Sequence, residues 1–207
     1  MQSEISIAQS LLQIHAIKLN PAQPFIWASG WRSPIYCDNR RTLAYPAVRT
    51  QIAEAFAALV RQKYPDAEVV AGVATGAIAH GVLVAEKLGL PFVYVRAKPK
   101  DHGLGNLIEG ELQPEKKVVV VEDLISTGGS SLSALAALRE AGAQVLGMVA
   151  IFTYGFELAQ KRFADAGCEL STLSSYDTLI EHALAIGYVQ PHELQALKRW
   201  REAPDKY

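Results

Sequence analysis

Four valines in succession, residues 118–121, run straight into two adjacent acids, Glu122 and Asp123. An unbroken β-branched run reads as a strand covered on both faces, because a strand with one wet face alternates apolar with polar. Cover on both faces calls for helices above and below, and the flanking sequence supplies them. Residues 69–73, 92–95, 145–152 and 168–173 read as further strands. Residues 77–88, 132–141 and 157–165 read as helices between them, with Gly89 and Gly142 placed as C-caps. Strands alternating with helices predict an α/β fold: a mainly parallel central sheet flanked by helices. In such sheets ligands bind beyond the carboxyl ends of the strands.

Ahead of this core, Ile7, Leu11, Leu12 and Ile14 stand close to helical spacing within residues 3–19, and Pro21 stops the run. A turn-rich stretch follows. Pro46 then opens a helix to about Tyr64, with Val48, Ile52, Phe56, Leu59 and Val60 on one face. Residues 178–186 and 192–200 read as closing helices, Leu194, Leu197 and Trp200 forming a docking face. The expected organisation is a single domain over residues 1–207. An N-terminal lobe or hood takes 1–45, the α/β core 46–175 and the C-terminal helices 176–207. A polar, Gly- and Pro-rich segment, 97–115, interrupts the core.

Composition narrows the function classes. Of the 207 residues, 50% are apolar and 20% charged, which excludes disorder and coiled coil. A net charge of −1 argues against a nucleic-acid-coating protein or one bound to an anionic membrane. Cys37 and Cys168 lie far apart without a CxxC, so they read as reduced thiols and not as a zinc site or disulfide framework. No apolar stretch approaches the roughly 18–20 residues that span a bilayer, and the N-terminus has no basic region before an apolar one. The expectation is a soluble cytoplasmic protein. The histidines show no metal-ligand spacing, and neither HExxH nor GxSxG occurs.

Glu122 and Asp123 at the mouth of a buried strand are costly to charge together unless a ligand uses them. Carboxylates only accept hydrogen bonds, so paired hydroxyls, as on a ribose, suit them. Ser126, Thr127, Gly128, Gly129 and Ser130 follow, immediately before a helix. Glycine lets backbone approach a ligand closely, and free N–H groups at a helix N-terminus favour an anion. One turn would thus hold a phosphorylated ribose at both ends. The competing reading is a plain strand–turn–helix with a Ser/Thr cap, which leaves the acid pair unexplained. No GxxxxGK or complete GxGxxG occurs.

The segment VVVVEDLISTGGSS closely resembles the phosphoribosyl-pyrophosphate (PRPP) signature of the type I phosphoribosyltransferases. That resemblance implies the family's fold. It also implies that Glu122 and Asp123 bind the ribose hydroxyls, and that Leu124, Ile125, Ser126, Thr127, Gly128, Gly129 and Ser130 complete the PRPP site. Arg96, Lys98, Lys100 and His102 lie on a glycine-rich stretch that resembles the catalytic loop of the orotate phosphoribosyltransferases. There Arg96, Lys100 and His102 would act on the pyrophosphate as catalytic and PRPP-binding groups. Cations over that leaving group stabilise charge developing as the bond to C1′ breaks. In that family the loop reaches a neighbouring subunit's site, which implies a homodimer.

The segment SGWRSPIYCD, from Ser29 to Asp38, is similar to the SG-x-x-SP-x-Y hood element of the same enzymes, and Ala74-Thr75-Gly76 resembles their pyrophosphate loop. Taken together these imply transfer of ribose 5-phosphate from PRPP to orotate with Mg²⁺, no protein ligand to the metal being required, and Ser126 touching orotate. The chain departs from some family members in carrying Ala28 where they have lysine and Ala97 where they have a second basic residue. It also has no arginine in Phe152-Thr-Tyr154-Gly, where some hold the orotate carboxylate. Arg32 and backbone amides near Ser126 are the candidates for that task. The rival readings are a phosphoribosyltransferase for another base and a PRPP-sensing regulator on the same fold.

Overall fold

The computed structural model describes residues 2–27, 30–98 and 107–207. Helix α1 (Gln2–Gln13) ends sooner than its apolar spacing predicts. His15 takes a left-handed φ of 55°, which an α-helix does not admit, and the chain leaves as strand β1 (Ile17–Leu19). Ile17 and Leu19 are buried and Lys18 is exposed, the period of a strand with one face covered. Strands β2 (Phe25–Ile26) and β3 (Arg32–Ser33) pair antiparallel, and β4 (Ile35–Cys37) pairs antiparallel with β1. A 3₁₀ turn, Asn39–Ala44, leads from this hood into α2 (Pro46–Lys63), which has Pro46 in its first turn.

Next come β5 (Val69–Val73), α3 (Ile78–Leu88), β6 (Phe92–Val95) and β7 (Ile108–Glu109). Strand β8 (Lys117–Ile125), helix α4 (Gly129–Glu140) and strand β9 (Gln144–Thr153) follow. Helix α5 (Glu157–Asp165), strand β10 (Leu170–Ser175) and helices α6 (Tyr176–Ala185) and α7 (Pro191–Glu202) complete the order. One six-stranded sheet runs β10-β9-β8-β5-β6-β7, parallel throughout except for β7. The valine run extends further than its four residues indicate: β8 is nine residues long and carries both acids within it.

The strand period sorts the valines between two cores. Val119 and Val121 face the layer built by α1, α2, α3 and α6, alongside Val70, Val149 and Ile151. Val118 and Val120 face α4 and α5, meeting Leu135, Leu138 and Phe163. All four are 0% exposed, so β8 is the axis from which both layers are packed. Within the segment read from sequence as polar loop, Leu107, Ile108 and Leu112 pack against this second core, and β7 adds an edge to the sheet. Three apolar side chains among glycines and prolines do not announce a strand of two residues.

The C-terminal helices close over the hood. Trp200 on α7 is 1% exposed, its ring within 5.7 Å of Trp27 and 5.6 Å of Tyr154, with Phe156 and Tyr176 closer still. Trp27 also stacks on Tyr154 at 5.2 Å, and the Tyr176 hydroxyl donates to the Leu197 carbonyl at 3.1 Å. Aromatic burial on this scale dominates local energetics. Trp200→Ala is expected to cost about 3–5 kcal/mol in urea unfolding. Trp200→Phe is expected to cost less than half of that, because Trp200 Nε1 has no hydrogen-bond partner among the described residues to lose.

Candidate active site

The sheet order creates a crevice. From β5 the chain crosses to β6 on one side, then returns past β5 to β8 on the other. Connections therefore diverge between the carboxyl ends of β5 and β8, the point where open α/β sheets bind ligands. The turn after β5 meets the end of β8 there. The Ala74–Thr75 peptide is cis, and a Cβ on Gly76 would overlap the Asp123 carboxylate. Only glycine allows that approach, so Gly76 and Asp123 form the floor of the crevice together.

The two acids face different ways. Asp123 is half-buried at the crevice, whereas Glu122 is 4% exposed. Glu122 Oε1 accepts from the Asp123 N–H at 2.9 Å, and its Oε2 accepts from the Ser131 hydroxyl at 2.8 Å. Burial, and next the Asp123 carboxylate beside it, push the Glu122 carboxyl up to about 8. Burial and the neighbouring carboxylate thus both favour the neutral form of Glu122.

Asp123 is positioned from the hood. The buried Asn39 side chain donates through Nδ2 to the Asp123 carbonyl at 2.6 Å. The Thr42 hydroxyl donates to the Asn39 carbonyl at 2.6 Å and lies 3.0 Å from His80 Nε2. With the hydroxyl proton committed to Asn39, His80 must donate through Nε2, which fixes its tautomer. Burial depresses the His80 pKa and keeps the ring neutral. His80 on α3 is thus a support behind Asn39 and Asp123.

Beyond Asp123 the strand continues through Leu124 and Ile125, paired with Phe152 and Thr153 of β9. The Ile125 side chain lies in the core, and its carbonyl accepts from the Tyr154 N–H at 3.1 Å. Ser126 and Thr127 are half-buried, Gly128 takes a left-handed φ of 78° as the N-cap of α4, and Gly129 and Ser130 are exposed in its first turn. No side chain caps this helix, so its first N–H groups face outward as an anion site. Arg162 of α5 donates to the Thr127 carbonyl at 3.0 Å and anchors the turn from behind.

On the far side of β5, Arg96 follows β6 and pairs with Glu109 of β7 at 3.4 Å, while Lys98 is exposed. Lys100 and His102 lie outside the described residues, as do Ala28 and Ser29 of the hood element. The structure therefore gathers Gly76, Asp123, the turn at 126–130 and Arg96 at one end of the sheet. Asn39, Ser131 and Arg162 escape sequence reasoning because nothing in their local surroundings signals a role; only topology brings Asn39 to a carbonyl 84 positions away. An outward carboxylate, a turn of free N–H groups and an arginine suit a phosphorylated, polyhydroxylated ligand.

Comparison with known proteins agrees with this chemistry. A family model described as the phosphoribosyl transferase domain matches residues 41–175, which hold the sheet and the whole crevice. The orotate phosphoribosyltransferase of Porphyromonas gingivalis is 56% identical over 201 residues, covering 97% of this chain and 96% of that one. That of Lactococcus lactis is 57% identical over 197 residues, 95% of this chain and 94% of the relative. The crystal structure of orotate phosphoribosyltransferase from Aeropyrum pernix superposes with a TM-score of 0.75 at 29% identity, over 89% of this chain and 99% of that one. Fold, crevice and near full-length similarity, hood and C-terminal helices included, lead to one assignment: the chain belongs to the orotate phosphoribosyltransferases of the phosphoribosyl transferase family.

Proposed function

We propose that this chain transfers the ribose 5-phosphate group of PRPP to orotate, giving orotidine 5′-monophosphate and pyrophosphate in de novo pyrimidine biosynthesis. The observation that carries this reading is the Asp123 carboxylate held against Gly76, with the uncapped N-terminus of α4 one turn beyond it. Asp123 accepts from the ribose hydroxyls together with Glu122. The Glu122 carboxyl oxygens, which accept from the Asp123 N–H and the Ser131 hydroxyl, keep further lone pairs whether or not the group is protonated. Ile125 to Ser130 cradle the 5′-phosphate through backbone N–H groups, helped by the dipole of α4. Ser126 stands between phosphate and base and is the residue we assign to orotate.

The residues fit a metal that arrives on the diphosphate. Asp123 is the carboxylate turned to the crevice, and no group of three His, Cys, Asp or Glu gathers among the described residues. Mg²⁺ held beside Asp123 through the diphosphate would supply neutralisation of the pyrophosphate charge. As the C1′ bond breaks, negative charge grows on the pyrophosphate and positive charge on the ribosyl ring. Catalysis then consists of positioning and electrostatic stabilisation. Arg96, Lys100 and His102 supply the cations, from a lid that we place over a neighbouring subunit's site in a homodimer. The single 1–207 domain works in the cytoplasm on this reading; both cysteines are free thiols, as in a reducing compartment.

Purified protein with PRPP and Mg²⁺ should consume orotate absorbance and release pyrophosphate, and should leave uracil, adenine and hypoxanthine unchanged. Turnover of a different base would replace the acceptor. Gly76→Ala is expected to raise the KM for PRPP about tenfold or more by displacing Asp123; an unchanged KM would remove Gly76 from the floor of the site. Lys100→Ala should lower kcat about 10²–10³-fold with little effect on PRPP affinity. Mixed with inactive Asp123→Asn, it should recover about a quarter of wild-type activity, since half the dimers carry one intact site. No recovery would mean each lid serves its own subunit.

The Glu122 proton sets a pH dependence. Its folded pKa lies above the ordinary carboxylate value, so the unfolded chain ionises first as pH rises. Folding stability is therefore lost between about pH 4.5 and 8. Glu122→Gln, which holds no such proton, is expected to melt with wild type at pH 5 and a few degrees above it at pH 8. A gap of the same size at both pH values would refute a buried, protonated Glu122.

A further inference from the structure

The chain lacks an arginine after β9, so a carboxylated acceptor needs its cation from elsewhere. Beside the phosphate turn lies a cavity of about 460 Å³, bounded by Trp31 of the hood, Thr127, Gly155, Phe156 and, from the C-terminal helix, Arg201. That is the volume range of small-molecule sites. Its wall at Thr127 is shared with the turn that we assign to the 5′-phosphate. Arg32, the cation considered from sequence, is exposed on β3 and does not bound this cavity.

Arg201 is stationed there and is incompletely used. Its Nη1 lies 3.7 Å from where a Cβ on Gly155 would be, an ordinary contact distance, which puts the guanidinium beside the turn that leaves β9. Nε is 3.5 Å from Asp177 Oδ1, an ion pair without a hydrogen bond, and Nε is buried with no hydrogen-bond partner among the described residues. Arg201 is the cation among the described residues that bound the cavity, and Arg162 behind the turn is committed to the Thr127 carbonyl. Glu157, Glu202 and Asp205 also bound the cavity, but all three are exposed, where water and salt screen them, while Arg201 is half-buried.

We propose that Arg201, delivered by α7, binds the carboxylate of the acceptor base and makes the enzyme selective for a carboxylated pyrimidine over an uncharged one. This rests on the orotate reading above. A planar guanidinium fork matches a carboxylate in two parallel hydrogen bonds, which an uncharged ring edge cannot supply. The preceding residue, Trp200, locks the helix that carries it.

Steady-state kinetics and PRPP calorimetry on wild type, Arg201→Gln and Arg201→Lys test the assignment. Arg201→Gln should raise the KM for orotate about 100-fold and reduce the preference for orotate over uracil by a similar factor. Its PRPP dissociation constant and melting temperature should stay at wild-type values. Arg201→Lys, which keeps the charge but loses the fork, should fall between the two. An unchanged orotate KM in Arg201→Gln, or a parallel loss of PRPP affinity and thermal stability, would overturn the inference. Wild type that turns over a base other than orotate would instead overturn the reading beneath it.

Discussion

A strand that must be dry on both faces yet end in charge is the constraint from which the rest of this structure follows. Val118 and Val120 belong to one core and Val119 and Val121 to the other, so β8 cannot shift by one residue without exchanging the two sets. Pinned between β5 and β9, it delivers Glu122 and Asp123 to one fixed place beside the turn that leaves β5. Burial then separates the two acids chemically. Glu122 is held toward its protonated form within the fold, while Asp123 turns to the crevice.

Around that strand the molecule supports the site from both ends of the chain. The hood reaches the Asp123 carbonyl through Asn39, itself braced by Thr42 and His80. Arg162 holds the Thr127 carbonyl from α5. The C-terminal helix brings Trp200 against Trp27 and Tyr154, and the Tyr207 hydroxyl donates to the Pro21 carbonyl at 3.3 Å. Sheet, hood and last helix therefore share one aromatic seam, and residues far apart in sequence act on the same crevice.

Much of this was legible wherever the signal is local. Residues 69–73 and 92–95 form the strands their β-branched runs predict, and α5 has its expected bounds, because burial on both strand faces and an amphipathic helix leave direct marks. The acids and the glycine turn were legible because donor chemistry is compressed into one contiguous segment. Where partners are distant, reading stopped. Residues 17–19 pair with residues 35–37, a three-residue ladder with no periodicity long enough to outweigh the helix before it. Asn39 and Arg201 carry no motif, and only the crossover topology and the packing of α7 show what they approach. The lack of an arginine after β9 was visible in sequence; the approach of Arg201 to Gly155 was not.

The aromatic seam bears on the order in which the parts become functional during synthesis. Domains fold as the chain emerges from its N-terminus. All six strands of the main sheet, with the turn that follows β8, are complete once Ser175 has been made. Trp27 of the hood gains its edge-to-face partner only once Trp200 has been made. A nascent chain can thus assemble the floor of its site well before α7 packs against the hood.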